Sequence, residues 1–225
     1  MYKADGDILI VGAGIGGLTL ALSLHQVGIP CRIFEAAPVI KPLGVGINLL
    51  PHVMRELGSL DLEPAIAARG IETRAVTFYN SFGQHIFTEP RGRFAGDDWP
   101  QYSIHRGDLQ SVLLEAVRAR LGPDAVKTGH RFIGAEASED IVAARFEDPE
   151  TGQALPPFSG RALVGCDGIR SAGGPGDAAS GRRAPGLFRH HHVARHHALE
   201  ALPRRRHHGL CRLARDRQGD LLSGS

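Results

Sequence analysis

The stretch DILIVGAGIGGLTLALSLHQVGIPCRIFEA, residues 7–36, constrains the fold more than any other part of the chain. It predicts a strand, a glycine-rich turn, a helix, and a second strand that ends in an acid. Ile8–Val11 is apolar and β-branched, as a strand buried on both faces should be. The pattern G-x-G-x-x-G follows at Gly12, Gly14 and Gly16, with Gly17 beside it. Leu18, Leu20, Ala21, Leu22 and Leu24 would carry a helix against the sheet, and Ile33 and Phe34 lead the next strand out to Glu35. Gly12 is expected to permit the tight turn, Gly14 to let a pyrophosphate approach the backbone, and Gly16 to bring helix and strand together. The helix N-terminus offers free N–H groups and the positive end of its dipole to phosphates. Glu35 falls where a carboxylate can accept both hydroxyls of an adenosine ribose. Together these elements predict a dinucleotide site. A glycine turn that only packs is the competing reading, and the pattern does not choose between FAD and NAD(P).

Composition narrows the class. The chain has 225 residues, 42% of them hydrophobic, enough for one sizeable core or one and a half domains. Cys31, Cys166 and Cys211 are far apart and odd in number, which argues for a reducing, cytoplasmic compartment and against a disulfide framework or zinc site. Residues 1–6 lack a signal-peptide pattern. The apolar run near the start is broken by glycines and His25, so no membrane span is expected. The net charge of +2 hides an asymmetry. Residues 173–225 hold ten arginines against four acids, a net +6, which leaves −4 for residues 1–172.

Along the chain, residues 36–48 read as a loop stiffened by Pro38 and Pro42, and residues 49–57 as a short helix, with another at 65–69. Two strands are expected at Ala75–Tyr79 and 85–88, a β-ribbon within a stretch near 73–100. Residues 107–121 form the second clear helix, with Asp108 in its first turn and Gly122-Pro123 as its stop. Strands at 126–132, 141–146 and 161–164 follow. The last ends in Cys166-Asp167-Gly168, and an Asp at the C-terminal edge of a parallel strand lies where ligands bind in such sheets. A plain strand-end turn is the alternative there. Arg106 precedes the helix at 107–121, and its fork of donors suits a phosphate or ribose edge; a solvated arginine is the alternative. Beside it, His105 reads as structural rather than catalytic. No carboxylate pair or nucleophile triad stands out, and no catalytic residue is assigned.

The segments GAGIGGL, Glu35, PLGVGINLLP, PQYSIHRGDLQ and LVGCDGIRS, taken together, resemble the group A flavoprotein monooxygenases, the family of p-hydroxybenzoate and salicylate hydroxylases. The phenazine-modifying members look most similar in GVGIN and PQYSIHRG. The resemblance covers residues 7–171. It implies an α/β, Rossmann-like, three-layer FAD-binding domain with a β-ribbon insertion that begins the substrate domain. It implies that Gly12, Gly14, Gly16 and Gly17 hold the FAD pyrophosphate, that Glu35 holds the adenosine ribose, and that Arg106 contacts FAD. Asp167 and Gly168 would serve FAD and NAD(P)H, and Gly44, Val45 and Gly46 would lie near the isoalloxazine. The implied reaction consumes NAD(P)H and O2 and hydroxylates a small phenolic or phenazine-like aromatic substrate. No nucleic acid, membrane or metal is expected, and the oligomeric state is open. Two alternatives remain: another FAD-dependent oxidoreductase of the epoxidase or prenyl reductase type, or a non-catalytic dinucleotide-binding protein with a basic interaction tail.

The family pattern stops after Ser171. Residues 173–225 form an Arg/His/Gly-rich tail with one aromatic, Phe188, and few β-branched residues. It is expected to be disordered, with residues 1–172 as the partial FAD-binding domain. Its histidine clusters, such as His190-His191-His192, and its arginines leave metal or nucleic-acid binding as lesser readings. Codons can be chosen for this tail so that a one-base shift yields VRATLHPDEGRPGFSGTTMWRG and onward, a continuation that resembles the family. We therefore expect a one-base insertion near the codons for Ala172 and Gly173, and a chain that is an inactive N-terminal fragment. The nucleotide sequence tests this, since stop codons in the other frame would end the idea.

Overall fold

A computed structural model describes residues 7–168, 187–189 and 210–213. The described residues fall into two compact units, one made of 7–45 and 105–168 with 187–189, the other of 46–104 with 210–213.

The first unit is built on the opening βαβ segment. Strand β1 (Ile8–Val11) leads through Gly12 and Ala13 into α1 (Ile15–Gln26), and the chain returns as β2 (Cys31–Phe34). In the second unit, β3 (Gly46–Leu49), α2 (Pro51–Ser59), α3 (Glu63–Ala67), β4 (Ile71–Glu72), β5 (Ala75–Tyr79), β6 (His85–Pro90) and β7 (Tyr102–His105) follow in order. The chain then enters α4 (Arg106–Leu121), β8 (Val126–Lys127), β9 (Arg131–Ala137), β10 (Val142–Glu147), β11 (Phe158–Gly160) and β12 (Ala162–Gly165). Two short strands, β13 (Leu187–Arg189) and β14 (Leu210–Leu213), complete the described elements.

A parallel sheet of order β13-β12-β1-β2-β8 forms the centre of the first unit. Its period-2 alternation gives two buried faces. Leu9, Val11, Phe34 and Leu163 point one way and meet Val142, Ala144 and Phe146 of the antiparallel sheet β11-β10-β9. Phe34 stacks on Phe146 with ring centroids 4.5 Å apart. Ile10 and Ile33, set in register with each other, point the other way and are fully buried. The helices belong on that face: α1 buries Leu18, Ala21 and Leu22 at helical spacing, α4 buries Leu109, Val112, Leu113 and Val117, and the two helices pack together. The result is the expected Rossmann-like α/β three-layer arrangement.

The second unit holds two small sheets, β3-β7-β4 and β14-β5-β6. Ser103 on β7 donates to Asn48 Oδ1 at 2.7 Å and pairs with the Thr73 hydroxyl at 2.8 Å. The expected β-ribbon is β5–β6, with Phe78 and Phe87 stacked across it at 4.5 Å.

Several sequence expectations need correction. One strand was expected over 126–132, but there are two. Lys127 pairs with β2 in the parallel sheet, whereas Arg131 opens the antiparallel one, and Gly129 at φ +67° turns the chain between them. The loop expected over 36–48 ends at Val45, and the helix expected from residue 49 begins at Pro51, where a missing N–H costs nothing. β7 lies within the motif PQYSIHRGDLQ, for which no strand was expected. The expectations for the tail fall, apart from β13 and β14, outside the described residues.

Candidate functional site

The turn between β1 and α1 is fixed by steric necessity at two glycines. Gly12 has φ +102°, and a Cβ there would lie 2.5 Å from the Cys166 carbonyl oxygen. A Cβ on Gly17 would come 2.0 Å from the Gly12 carbonyl oxygen. Gly17, not Gly16, is therefore the close-packing glycine; Gly16 is exposed with nothing near its missing side chain. Gly14 is likewise open, and it stands at the N-cap of α1 with no side chain over the first-turn N–H groups. An anion has a bare approach to that end of the helix.

Glu35 closes the turn from the neighbouring strand. Its Oε2 accepts from the Ala13 N–H and its Oε1 from the Ala37 N–H, both at 2.8 Å. Each carboxylate oxygen keeps a second acceptor site for a sugar hydroxyl. Gln110 on α4 donates its Nε2–H to the Ala13 carbonyl oxygen at 2.9 Å, so both backbone groups of Ala13 are held by side chains. The His130 N–H donates to the Glu35 carbonyl oxygen at 2.9 Å, and its Nδ1 lies 2.7 Å from the Thr128 carbonyl oxygen, which makes Nδ1 the protonated nitrogen.

These groups border one cleft of about 650 Å³ within the first unit. It brings together Gly12, Gly14, Glu35, Arg106, Asp167 and Gly168 from the sequence-predicted set. Gly16 and Gly17 lie in α1 and are not among the cleft's lining residues. Val45 is exposed beside the cleft, its carbonyl accepting from the Arg106 N–H at 3.0 Å, and Gly46 starts β3 in the other unit. The cleft also recruits residues that sequence reasoning missed: Lys41, Gln110 and His130. Gln110 was legible in principle, since it stands four residues after Arg106 and so on the same helical face. Lys41 sits in a loop without periodicity, and nothing local marks it.

The electrostatics favour a bound anion. Arg106 and Lys41 line the cleft, and neither has an ion pair among the described residues. Both stand with the α1 N-terminus around a common space, a set of donors that matches a pyrophosphate. Glu35 adds carboxylate oxygens with acceptor capacity to spare. Cys166 also lines the cleft, but burial and then the Asp167 charge push its thiol up, so it is neutral and a poor nucleophile. A dinucleotide such as FAD fits this donor and acceptor set.

Comparisons with known proteins agree with the geometry. A family model described as FAD binding domain matches residues 5–175. The phenazine 1,6-dicarboxylic acid hydroxylase PhzS of Lysobacter antibioticus is 48% identical over 167 residues, which cover 74% of this chain and 41% of that protein. The aurachin C monooxygenase/isomerase of Stigmatella aurantiaca is 36% identical, covering 76% of this chain and 42% of its own length. Among solved structures, a variant of Klebsiella pneumoniae HpxO complexed with FAD superimposes with a TM-score of 0.60 at 26% identity, over 74% of this chain and 40% of that one. The chain thus spans about two fifths of the relatives it matches.

Proposed function

The chain belongs to the FAD binding domain family, and on that premise we propose that it is the cofactor-holding part of an FAD-dependent, NAD(P)H-consuming monooxygenase that hydroxylates an aromatic ring. The likeness to a phenazine-dicarboxylate hydroxylase supports a phenazine-like or phenolic substrate. The reaction takes the aromatic substrate, O2, NAD(P)H and a proton to the hydroxylated ring, NAD(P)+ and water. The chemistry supplied at the site would be that of a flavin: reduction by a nicotinamide and activation of dioxygen.

The chain's own residues bind and orient. Arg106, Lys41 and the first turn of α1 neutralise the pyrophosphate, which approaches over bare Gly14. Glu35 accepts from the adenosine ribose while its backbone bonds keep the carboxylate aimed. Gln110 fixes the Ala13 carbonyl through its side-chain amide, which steadies the turn the phosphates would meet. Asp167 and Gly168 border the cleft at the end of β12 and would serve FAD and NAD(P)H there. Gly44, Val45 and Gly46 would flank the isoalloxazine.

Two cations without an ion pair among the described residues, one helix N-terminus and one carboxylate with spare acceptor sites around a single cleft carry this reading. The test is titration of the purified chain with FAD, followed by flavin fluorescence and absorbance. Saturable uptake is expected, and a chain that stays colourless with excess FAD sinks the proposal. NAD(P)H oxidation stimulated by a phenol or phenazine, in a protein of the relatives' full length, separates hydroxylase from mere binder. No helix among the described residues is long and apolar enough to cross a membrane. Among the described residues Cys31 and Cys166 form no disulfide, which supports a cytoplasmic location; a disulfide-linked form isolated from cells would count against it.

A further inference from the structure

His105 joins two segments that lie 61 positions apart in the chain. Its Nδ1 accepts from the Gly107 N–H at 3.2 Å, and its Nε2 lies 3.0 Å from the Gly44 carbonyl oxygen. The amide pointing at Nδ1 requires that nitrogen to be bare. The hydrogen therefore sits on Nε2 and is donated to Gly44. One neutral ring thus caps α4 and grips the strip that precedes β3.

The contact is closed around this ring. The Arg106 N–H donates to the Val45 carbonyl at 3.0 Å. A Cβ on Gly44 would lie 2.9 Å from the Arg106 Cβ, and one on Gly107 would lie 2.6 Å from the Pro42 backbone. Residues 42–45 therefore lie flat on the first turn of α4, with no space between them. Both sides of this contact face the cleft, through Leu43, Gly44 and Arg106. The position of the Arg106 side chain depends on how tightly the strip is held, because its own aliphatic carbons are what Gly44 rests on.

We infer that His105 is a positioning residue: it latches residues 42–45 to the N-terminus of α4 and so holds Arg106 over the cleft for the cofactor. The cofactor half of this statement rests on the FAD reading above; the latch does not. A plain helix cap needs only the Nδ1 contact, whereas the latch needs the Nε2 contact as well.

Two substitutions separate these roles. His105→Asn keeps an acceptor at the cap position, which asparagine fills well, but it is too short to reach Gly44. His105→Gln places an amide donor where Nε2 stands and gives up the cap. The readouts are hydrogen exchange of individual amides without FAD, and FAD titration of the full chain. In His105→Asn the Gly107 amide stays protected, while the Arg106 amide, which donates to Val45, exchanges about fivefold to tenfold faster, the loss expected of one modest hydrogen bond. FAD affinity falls about threefold to tenfold. In His105→Gln the pattern crosses over: the Arg106 amide and FAD affinity return toward the parent, and the Gly107 amide is exposed. An Arg106 amide that is unchanged in His105→Asn, or equally fast in both variants, overturns the latch. FAD affinity that ignores an opened latch overturns the link to Arg106. A parent chain that takes up no FAD overturns the cofactor reading, and the exchange data then decide the latch alone.

Discussion

The two units use the same element types to opposite effect. In the first, three of the four residues of β1 are buried, and Leu9 and Ile10 are wholly inaccessible. In the second, all six residues of β6 are exposed, and Phe82 at the tip of the ribbon is 87% accessible. A strand sandwiched between a helix layer and a second sheet must be apolar on both faces. A ribbon with one covered neighbour can leave even phenylalanine in water. The difference shows where the folding energy lies: the cofactor unit stabilises itself through its aromatic and aliphatic centre, while the ribbon is held by cross-strand bonds and one stacked pair.

That contrast can be broken or sharpened by measurement. The largest effect is expected from Phe146→Ala, which empties the contact between the two sheets and costs about 3–5 kcal/mol by urea unfolding. Gly17→Ala comes next, at about 3 kcal/mol, because its methyl meets backbone that cannot yield; a melting temperature equal to the parent's would show that the turn is looser than its geometry. Glu35→Ala should weaken FAD binding about tenfold to a hundredfold, the loss of charge-assisted bonds, with calorimetry as the check.

A smaller effect is expected at high pH. Burial and then the Asp7 charge push the Cys31 thiol up to about 11, from an ordinary value of 9.0. Between those values the unfolded chain has released a proton that the folded chain keeps. The stability from the neutral buried thiol is complete below the lower value and is lost as pH rises through the upper one. Cys31→Ala should flatten that decline in urea midpoints across the same window. The smallest effect belongs to Phe82→Ala in the ribbon, within about 0.5 kcal/mol. If it cost as much as Phe146→Ala, the contrast between the units would be gone.

Much of the first unit was legible in the residues. The opening βαβ, the long helix and the strand before Asp167 each carry a strong local period, and their ends came within two residues of the structure. The short strands β3, β4 and β11 were not legible, because two to four residues hold no period and their strand character comes from partners elsewhere in the chain. The site divides along the same line. Glycines and an acid at fixed spacing announced Gly12, Gly14 and Glu35. Lys41, Gln110 and His130 became visible only when loops and helix converged on the cleft. The assignment of close packing to Gly16 rather than Gly17 failed for a related reason: which of two adjacent helical glycines faces the preceding turn depends on the rotation of the helix.

By itself the sequence determined the chemistry of the turn, since φ above zero, bare backbone and an acid at the next strand's end are properties of particular residues at particular spacings. Tertiary structure alone decided what surrounds that turn. It made one strand into two at Gly129, brought Lys41 and Arg106 to the same cleft as the start of α1, and clasped His105 to a carbonyl far away in the chain. Local residue types fix backbone conformation within a few positions. Contacts between distant segments depend on how whole elements pack, and no short stretch of sequence encodes that.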